Sequence, residues 1–236
     1  MSQPKQQRLD IAVETIRQRF GETAIRRVEH TNQVEAIPHI STGFPALDHA
    51  LTIGGFPKGQ LSHLCGVPTS GATTLALKTL AQAVGQAVVY VTLSPTFDAD
   101  YAARCGVMTD NVLLVTSETV AQAIEALLPL VDSAAAAVLV LPHPAPHAPS
   151  ADVNRLVNAV RRSSCAVLVL TRDSAAPVAR DAAVRLSLRR ERWLHRRSDV
   201  NGYRIQAHIL KNQFGLSGLK VPLVIGFSGT VAGDGT

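Results

Sequence analysis

The hydrophobic positions of the chain fall into short continuous runs, and segments with helical spacing lie between those runs. The continuous runs predict buried strands, at residues 60–65, 87–93, 112–115, 136–141, 166–170 and 184–188. The intervening segments predict helices, at residues 73–83, 97–105, 120–131 and 151–162. Because strands and helices alternate, the pattern predicts an α/β fold with a mainly parallel central sheet flanked by helices.

The last part of the chain departs from this alternation. Residues 189–193 and 203–211 alternate between apolar and polar positions, and they flank the dipeptide Asn201-Gly202. Asn-Gly is strongly favoured in two-residue hairpin turns. A final strand is predicted at residues 221–227. The C-terminal segment therefore predicts an antiparallel hairpin at one edge of the sheet.

The first 35 residues contain a predicted helix and a short extended piece outside the core. The helix spans residues 4–20, and its apolar positions recur at helical spacing: Leu9, Val13, Ile16 and Phe20. The extended piece lies at residues 24–28, and a polar connector follows it. We therefore divide the chain into an N-terminal element, residues 1–35, and a core domain, residues 36–236.

Composition limits the class of protein. Of the 236 residues, 46% are hydrophobic but only 4% are aromatic, which is typical of a core built from Ala, Val and Leu. No apolar run reaches the roughly 18 residues of a membrane span, and the N-terminus lacks the apolar stretch of a secretory signal. Cys65, Cys105 and Cys165 lie far apart without a CxxC pair, so we expect buried thiols of a cytoplasmic protein.

Positive charge is concentrated in one segment. The formal net charge is +5, and residues 185–197 contain six arginines and one glutamate, which together account for the whole excess. Clustered positive charge favours a polyanionic partner. The alternative is a solvated hairpin face, which explains many arginine-rich segments.

Residues 66–74, GVPTSGATT, come close to a phosphate-binding P-loop. In the motif G-x4-G-K-[ST], backbone N–H groups cradle the phosphates, the lysine reaches the terminal phosphates and the hydroxyl binds Mg²⁺. Gly66, Gly71 and Thr73 keep that spacing, but Ala72 stands at the lysine position. The missing charge-assisted hydrogen bond is worth roughly 1.5–3 kcal/mol. An ordinary glycine-containing turn between strand and helix is the alternative interpretation.

Several stretches, in the same order, resemble the bacterial RecA family along nearly the whole chain. They read RLDIAVETIRQRFGETAIRRV, ISTGFPALDHAL, GGFPKG, GVPTSGATT, FDADYAARCGV, VRLSLRR and KNQ. The resemblance implies a RecA-type ATPase core in which nucleotide binds between neighbouring subunits of a filament, without the family's C-terminal domain. The chain is also similar to the ImuA group, RecA-like accessory proteins of mutagenic polymerases that likewise have a degenerate core.

Three departures from the family pattern concern hydrolysis. Ala72 replaces the phosphate-binding lysine, Pro142 follows the strand that should end in an Mg²⁺-supporting Asp, and Ser94 stands at the catalytic Glu. Loss of a general base alone typically costs ~10²–10⁴-fold in rate, and phosphoryl transfer depends on all three functions. We therefore expect no catalytic residue, no ATP hydrolysis, and weak Mg²⁺ binding or none.

The resemblance also assigns a cofactor site. Asp98 and Tyr101 match family residues that contact adenine, and the loop supplies the remaining positions. The predicted cofactor-binding residues are Gly66, Ser70, Gly71, Ala72, Thr73, Thr74, Asp98 and Tyr101. We expect at most weak ATP binding there. The alternative is that Tyr101 only packs at the edge of the core.

The segments that match the family's DNA-binding loops are short. Residues 142–150 contain four prolines and no lysine or arginine, and residues 171–183 keep only Arg172 and Arg180 as cations. We therefore expect any DNA contact to run through phosphate charge and to be salt-sensitive and non-specific. The arginines predicted for such contact are Arg161, Arg162, Arg172, Arg189, Arg190 and Arg192.

The N-terminal helix and strand resemble the family's polymerisation element, which packs on the adjacent subunit. Lys211 matches one of two lysines that reach a neighbour's nucleotide, whereas Gln213 replaces the other. The alternative is that Lys211 only ends a surface strand. The predicted interface residues are Leu9, Val13, Ile16, Phe20 and Lys211. The expected partners are RecA-like subunits, either copies of this chain or RecA, or a repair polymerase complex.

We interpret the chain as a non-hydrolysing accessory protein in DNA recombination, repair or the damage response, without membrane association. The alternative is a slow DNA-dependent ATPase in which Lys58, Lys78 or a neighbour's cation replaces the missing lysine. Lys78 lies five residues beyond Thr73, about one and a half helical turns, so its ammonium should point away from the phosphates. A third alternative is an interaction module with an empty pocket.

Overall fold

The computed structural model describes residues 3–21, 36–94, 97–141, 150–196 and 199–227. The chain separates into two compact units, Met1–Ala36 and Ile37–Thr236. In the first unit, helix α1 spans Gln3–Phe20, which confirms the predicted N-terminal helix. The helix ends at Gly21, whose backbone has φ +92°. The predicted extended piece at residues 24–28 lies outside the described residues.

The second unit begins with a small pair of strands that precedes the main sheet. Strand β1 (His39–Ile40) pairs antiparallel with strand β2 (Phe56–Pro57), and helix α2 (Pro45–Ala50) lies between them in the chain. Asp48 of α2 accepts a hydrogen bond from the Thr42 N–H at 2.8 Å. This bond ties the helix to the end of β1.

Among the described residues, the main sheet has eight strands in the order β10-β9-β8-β3-β7-β6-β4-β5. In chain order its strands and the helices between them are β3 (Gln60–Cys65), α3 (Ala72–Leu80), β4 (Val88–Thr92), α4 (Ala99–Arg104), β5 (Val112–Thr116), α5 (Val120–Leu127), β6 (Ala136–Val140), α6 (Ser150–Arg162), β7 (Ala166–Thr171), α7 (Val178–Asp181), β8 (Val184–Arg196), β9 (Asp199–Asn212) and β10 (Lys220–Gly226). The pairs from β8 through β5 are parallel, whereas β9 pairs antiparallel with β8 and β10. This arrangement confirms the predicted sheet with an antiparallel edge.

The apolar runs are buried because helices cover both faces of the parallel strands. On one face, Leu75 of α3 lies in a buried cluster with Leu168 and Leu186 of the sheet. On the other face, Leu127 of α5 and Leu156 of α6 lie in a second buried cluster. The strands therefore run through the middle of the unit, and the loops after their carboxyl ends meet at one edge.

The C-terminal hairpin is longer than predicted, and its turn lies elsewhere. β8 and β9 pair as far as Arg196 and Asp199, so Asn201-Gly202 lies inside β9. The predicted turn at Asn201-Gly202 is therefore wrong. A Cβ at Gly202 would lie 2.4 Å from the carbonyl oxygen of Ile225 in β10. The glycine is needed for this close approach of two strands and not for a turn.

The segment 171–183, expected as a loop, contains the short helix α7. Pro177 precedes this helix, and proline is favoured at a helix start because its φ is already helical. Val178 and Ala179 of α7 are buried, so the segment packs on the core. The proline-rich loop predicted at residues 142–149 lies outside the described residues.

None of the helices in the described ranges is long and apolar enough to cross a membrane. The three cysteines are buried, as predicted, and burial raises the pKa of Cys165 to about 12. In the same ranges, no three His, Cys, Asp or Glu side chains group as they would around a metal ion.

Candidate functional site

The loop between β3 and α3 lies at the carboxyl end of the sheet. β3 ends at Cys65, and the Gly66 N–H donates to the carbonyl oxygen of Thr171 in β7 at 3.0 Å. α3 begins at Ala72, with Gly71 as its N-cap residue at φ +90°. Because glycine has no side chain to cap a helix, the N–H groups of the first turn have no side-chain acceptor from that residue. Such a helix start attracts an anion.

The two loop glycines are required by packing. A Cβ at Gly66 would lie 2.2 Å from Ser70 Oγ, and a Cβ at Gly71 would lie 2.8 Å from Ile205 Cδ1. Gly71 also has a left-handed backbone, which other residues adopt only with strain. Packing within the fold is therefore enough to explain the spacing of the two glycines. Evidence that the loop binds a ligand has to come from the cleft beside it.

A cleft of about 460 Å³ opens beside the loop. Its lining residues come from the loop and from the ends of the neighbouring elements: Gly66, Val67, Pro68, Thr69, Ser70, Gly71, Ala72, Thr73, Thr74, Ser94, Tyr101, Val140, Leu141, Leu170, Thr171, Arg172 and Tyr203. The structure thus brings together seven of the eight predicted cofactor residues. The eighth, Asp98, caps α4 by accepting a hydrogen bond from the Tyr101 N–H at 2.8 Å.

Two tyrosines contribute to one wall of the cleft. Thr74 Oγ1 lies 2.6 Å from the Tyr101 hydroxyl and 3.4 Å from the Tyr203 hydroxyl. Burial raises the pKa of Tyr101 to about 12, so its hydroxyl stays protonated near neutral pH. Tyr203 is a cleft residue that was not predicted from the sequence. The signal was available, because the alternation in β9 places Tyr203 on the face of Ile205.

A buried histidine lies behind the cleft residue Thr171. His63 Nε2 lies 2.7 Å from Thr171 Oγ1, and that hydroxyl donates to the Asp173 carbonyl oxygen at 2.7 Å. Because the hydroxyl hydrogen is already donated, the imidazole donates from Nε2. Burial, and secondarily the charge of Arg185, lowers the pKa of His63 to about 4, so the ring is neutral at pH 7. The sequence did not predict that His63 is a buried hydrogen-bond donor to Thr171, because a single histidine in an apolar strand has no distinctive pattern around it.

The cleft carries positive charge. Arg172 lines it, and none of its described lining residues is a carboxylate. Mg²⁺ in nucleotide sites is usually held by one or two carboxylates together with phosphates. The N–H groups of the loop fit phosphate oxygens, but the lining offers Mg²⁺ only neutral oxygens such as the Thr73 hydroxyl. A phosphate group therefore fits this cleft, and Mg²⁺ fits it poorly.

The two lysines considered as substitutes for the missing P-loop lysine do not line the cleft. Lys78 lies in the last turn of α3, where its Cβ approaches Gly43. Lys58 follows β2, on the side of the sheet where β3 begins. An arginine reaches the loop instead: Arg190 donates from Nη1 to Thr69 Oγ1 at 2.9 Å.

The six arginines predicted for DNA contact do not lie together. Arg172 and Arg190 lie beside the loop. Arg189 and Arg192 are exposed on β8. The remaining pair ends α6, which leads into the amino end of β7, so this pair lies at the edge of the sheet opposite the cleft.

The residues predicted for a subunit interface lie in different surroundings. Leu9 and Phe20 of α1 are 53% and 68% exposed, and Val13 and Ile16 are half-buried. Lys211 Nζ donates to a carbonyl oxygen of the same chain, that of Arg180, at 3.2 Å. The contact of these residues with another subunit stays a prediction.

Comparison with known proteins adds the family. The RecA N-terminal domain family matches residues 7–172. Protein RecA of Brucella suis (strain ATCC 23445 / NCTC 10510) is 30% identical, over 89% of this chain and 68% of that protein. Protein RecA of Brucella abortus (strain S19) has the same identity and coverage. Among solved structures, the RadB recombinase matches with a TM-score of 0.66 and 22% identity, over 80% of this chain and 97% of that chain.

The sheet order and the loop after β3 define a RecA-like α/β core. The chain belongs to the RecA family. Both the fold and the family predicted from the sequence are thereby confirmed.

Proposed function

We propose that this member of the RecA family is a non-hydrolysing accessory protein in DNA recombination, repair or the damage response. It binds nucleotide weakly, acts through RecA-like subunits or a repair polymerase complex, and contacts DNA through phosphates. One observation supports the proposal most. The P-loop-like turn keeps its shape beside a cleft whose described lining residues include no carboxylate.

The chemistry of phosphoryl transfer supports binding more than turnover. Hydrolysis needs positive charge on the transferred group, a metal ion and an oriented water molecule. Ala72 offers a methyl group in place of a cation, and the Ser94 hydroxyl is too weakly basic to activate water near neutral pH. Binding requires less, because the loop N–H groups and the start of α3 attract phosphate without those functions.

Helix α1 supports a role in protein contact. Three of its apolar side chains are largely exposed: Leu9 by 53%, Ile11 by 67% and Phe20 by 68%. A helix of 18 residues gains most of its stability in a protein from packing of its apolar face. Exposed apolar side chains on such a helix favour a surface that docks on another subunit.

Two measurements test this function. In a phosphate-release assay with ATP and single-stranded DNA, the pure protein should release no more phosphate than its Thr73→Ala variant. When mixed with a bacterial RecA filament on DNA, it should change the ATPase rate or the filament length. Robust turnover that Thr73→Ala abolishes would overturn the non-hydrolysing role. If the protein changes neither the ATPase rate nor the length of the RecA filament, RecA is not its partner.

A further inference from the structure

We propose that the cleft binds the phosphates of a nucleoside polyphosphate without Mg²⁺, and that Arg190 and Arg172 supply the charge that Ala72 lacks. This inference rests on the nucleotide-binding part of the proposed function and names the residues and the form of the ligand. Three observations carry it: the position of Arg190 at the loop, its contact with Trp193, and a buried hydroxyl without a partner.

Strand β8 brings Arg190 to the loop. β8 runs parallel to β3, and their pairing ends where the loop begins. A Cβ at Gly66 would lie 3.0 Å from the Leu188 carbonyl oxygen, so β8 continues directly beside the loop. Two residues further along β8, Arg190 Nη1 donates to Thr69 Oγ1 at 2.9 Å. The guanidinium group is therefore held at a residue that lines the cleft.

A β-bulge at Glu191 places Trp193 on the same face as Arg190. The register shifts between Arg190 and Arg192, and Trp193 then pairs with the cleft residue Tyr203. The guanidinium carbon of Arg190 lies 4.2 Å from the centroid of the Trp193 ring, within the range of a cation–π contact. If Glu191 paired regularly with β9, Arg192 would stand on this face in place of the ring. The bulge thus supplies an aromatic support for the guanidinium.

Arg190 keeps donors for a ligand. A guanidinium group has five N–H donors, and the bond to Thr69 uses one of them. Thr69 has φ +66°, a left-handed backbone that β-branched residues rarely adopt. The hydrogen bond helps to hold this strained residue in place. The remaining donors form a planar fork that matches phosphate oxygens.

Two features on the other side of the loop also favour an anion. Ser70 is 2% exposed and lines the cleft, and its hydroxyl has no hydrogen-bond partner among the described residues. Arg172, after β7, lines the same cleft. A buried hydroxyl without a partner is rare in proteins. If the Ser70 side chain turns toward the cleft, a phosphate oxygen held by the loop N–H groups would supply that partner.

The charge balance explains why Mg²⁺ is not needed. The guanidinium groups of Arg190 and Arg172 offset phosphate charge, and they compete with Mg²⁺ for the same oxygens. The described lining residues include no carboxylate that would hold the metal in return. Free nucleotide should therefore bind at least as tightly as its Mg²⁺ complex.

Trp193 is the single tryptophan of the chain, so its fluorescence reports on the surroundings of Arg190. We would titrate the full chain with ATP, tripolyphosphate and adenosine, each in Mg²⁺ and in EDTA. ATP and tripolyphosphate should change the fluorescence, with affinity in EDTA equal to or higher than in Mg²⁺. Adenosine should cause no change, because the proposed contacts are made to phosphates.

Substitutions then assign the binding to residues. Equilibrium dialysis with labelled ATP avoids the direct effect of the substitutions on Trp193. Arg190→Ala and Arg172→Ala should each weaken binding about tenfold or more, and Arg190→Lys should restore part of the loss. Arg189→Ala is the matched control, since Arg189 precedes Arg190 in β8 and points to the opposite face. It should bind like the natural chain.

Three results would each overturn this inference. They are loss of binding in EDTA, equal affinity of Arg190→Ala and the natural chain, and a response to adenosine but not to tripolyphosphate. None of them concerns hydrolysis or the RecA filament. Failure of this inference is therefore distinguishable from failure of the accessory role.

Discussion

The hydroxyl of Thr74 in α3 lies 2.6 Å from the hydroxyl of Tyr101 in α4, so the two helices are joined beside the cleft. Both residues were predicted to bind a cofactor, and in this structure they bind each other. The Tyr203 hydroxyl lies farther from the same Thr74 oxygen, at 3.4 Å. A ligand that takes the Thr74 hydroxyl would have to replace the shorter of these contacts.

Removal of the Tyr101 hydroxyl should destabilise the protein. Tyr101→Phe leaves the buried Thr74 hydroxyl with only the long contact to Tyr203, and the free energy of unfolding should fall by about 1–2 kcal/mol. Tyr203→Phe removes the longer contact and should cost clearly less. Urea unfolding of the two variants measures the difference, and equal losses would contradict the assigned hydrogen bond.

A methyl group at Gly71 should be more harmful than the same change at another left-handed glycine. Gly71→Ala places a Cβ 2.8 Å from Ile205 Cδ1 at φ +90°, so backbone strain and overpacking together should cost about 2–5 kcal/mol. Gly85 has φ +70° with open space around it, and Gly85→Ala should show only the strain, about 1–2 kcal/mol. Ile205→Val in the Gly71→Ala background should recover part of the loss. Similar unfolding midpoints for the two alanine variants would show that packing at Gly71 is not tight.

The parallel part of the sheet could be predicted from sequence because burial on both faces leaves a continuous apolar run. The sequence predicts β3 at its observed bounds, residues 60–65. The ends of helices are harder to predict from local sequence. Helix α3 is predicted to extend to residue 83 but ends at Leu80, because the apolar pattern that marks the helix continues into the turn after it. The turn at Asn201-Gly202 was wrong for a related reason. A local turn signal cannot show that the glycine is required by contact with Ile225, far along the chain.

The loop could be found from sequence because its glycine spacing is local, and the resemblance added Tyr101. Arg190 and Tyr203 reach the cleft through the pairing of β8 with β3 and β9. A bulge at Glu191 decides which β8 side chains face the loop, and bulges leave no reliable signature in a single sequence. Residues contributed by long-range pairing therefore had to come from the structure.

The two groups of arginines should differ in their effect on DNA binding. Arg189 and Arg192 are exposed on β8, so we expect them to contact DNA phosphates. Arg189→Ala with Arg192→Ala should weaken binding and reduce the slope of log K against log salt by about 1–2. The sequence also predicts Arg161 and Arg162 for DNA contact, but they lie at the opposite edge of the sheet, so Arg161→Ala with Arg162→Ala should leave the slope unchanged. Filter binding at several salt concentrations makes the comparison, and an unchanged slope in the β8 variant would exclude its face as the DNA surface.

Burial of the neutral His63 ring should make stability depend on pH. The pKa of His63 is lowered from 6.5 to about 4 in the folded protein, so the unfolded chain takes up this proton first as the pH falls. The contribution to stability is fully present above pH 6.5, declines by about 1.4 kcal/mol per pH unit below it, and is lost by about pH 4. The total is about 3 kcal/mol.

His63→Gln can still donate to Thr171 but cannot take up a proton, so its unfolding free energy should fall less steeply between pH 6.5 and 4. His49→Gln, at an exposed position, is the control and should follow the natural chain. Parallel curves for His63→Gln and the natural chain in denaturant titrations would show that His63 is not held neutral by the fold.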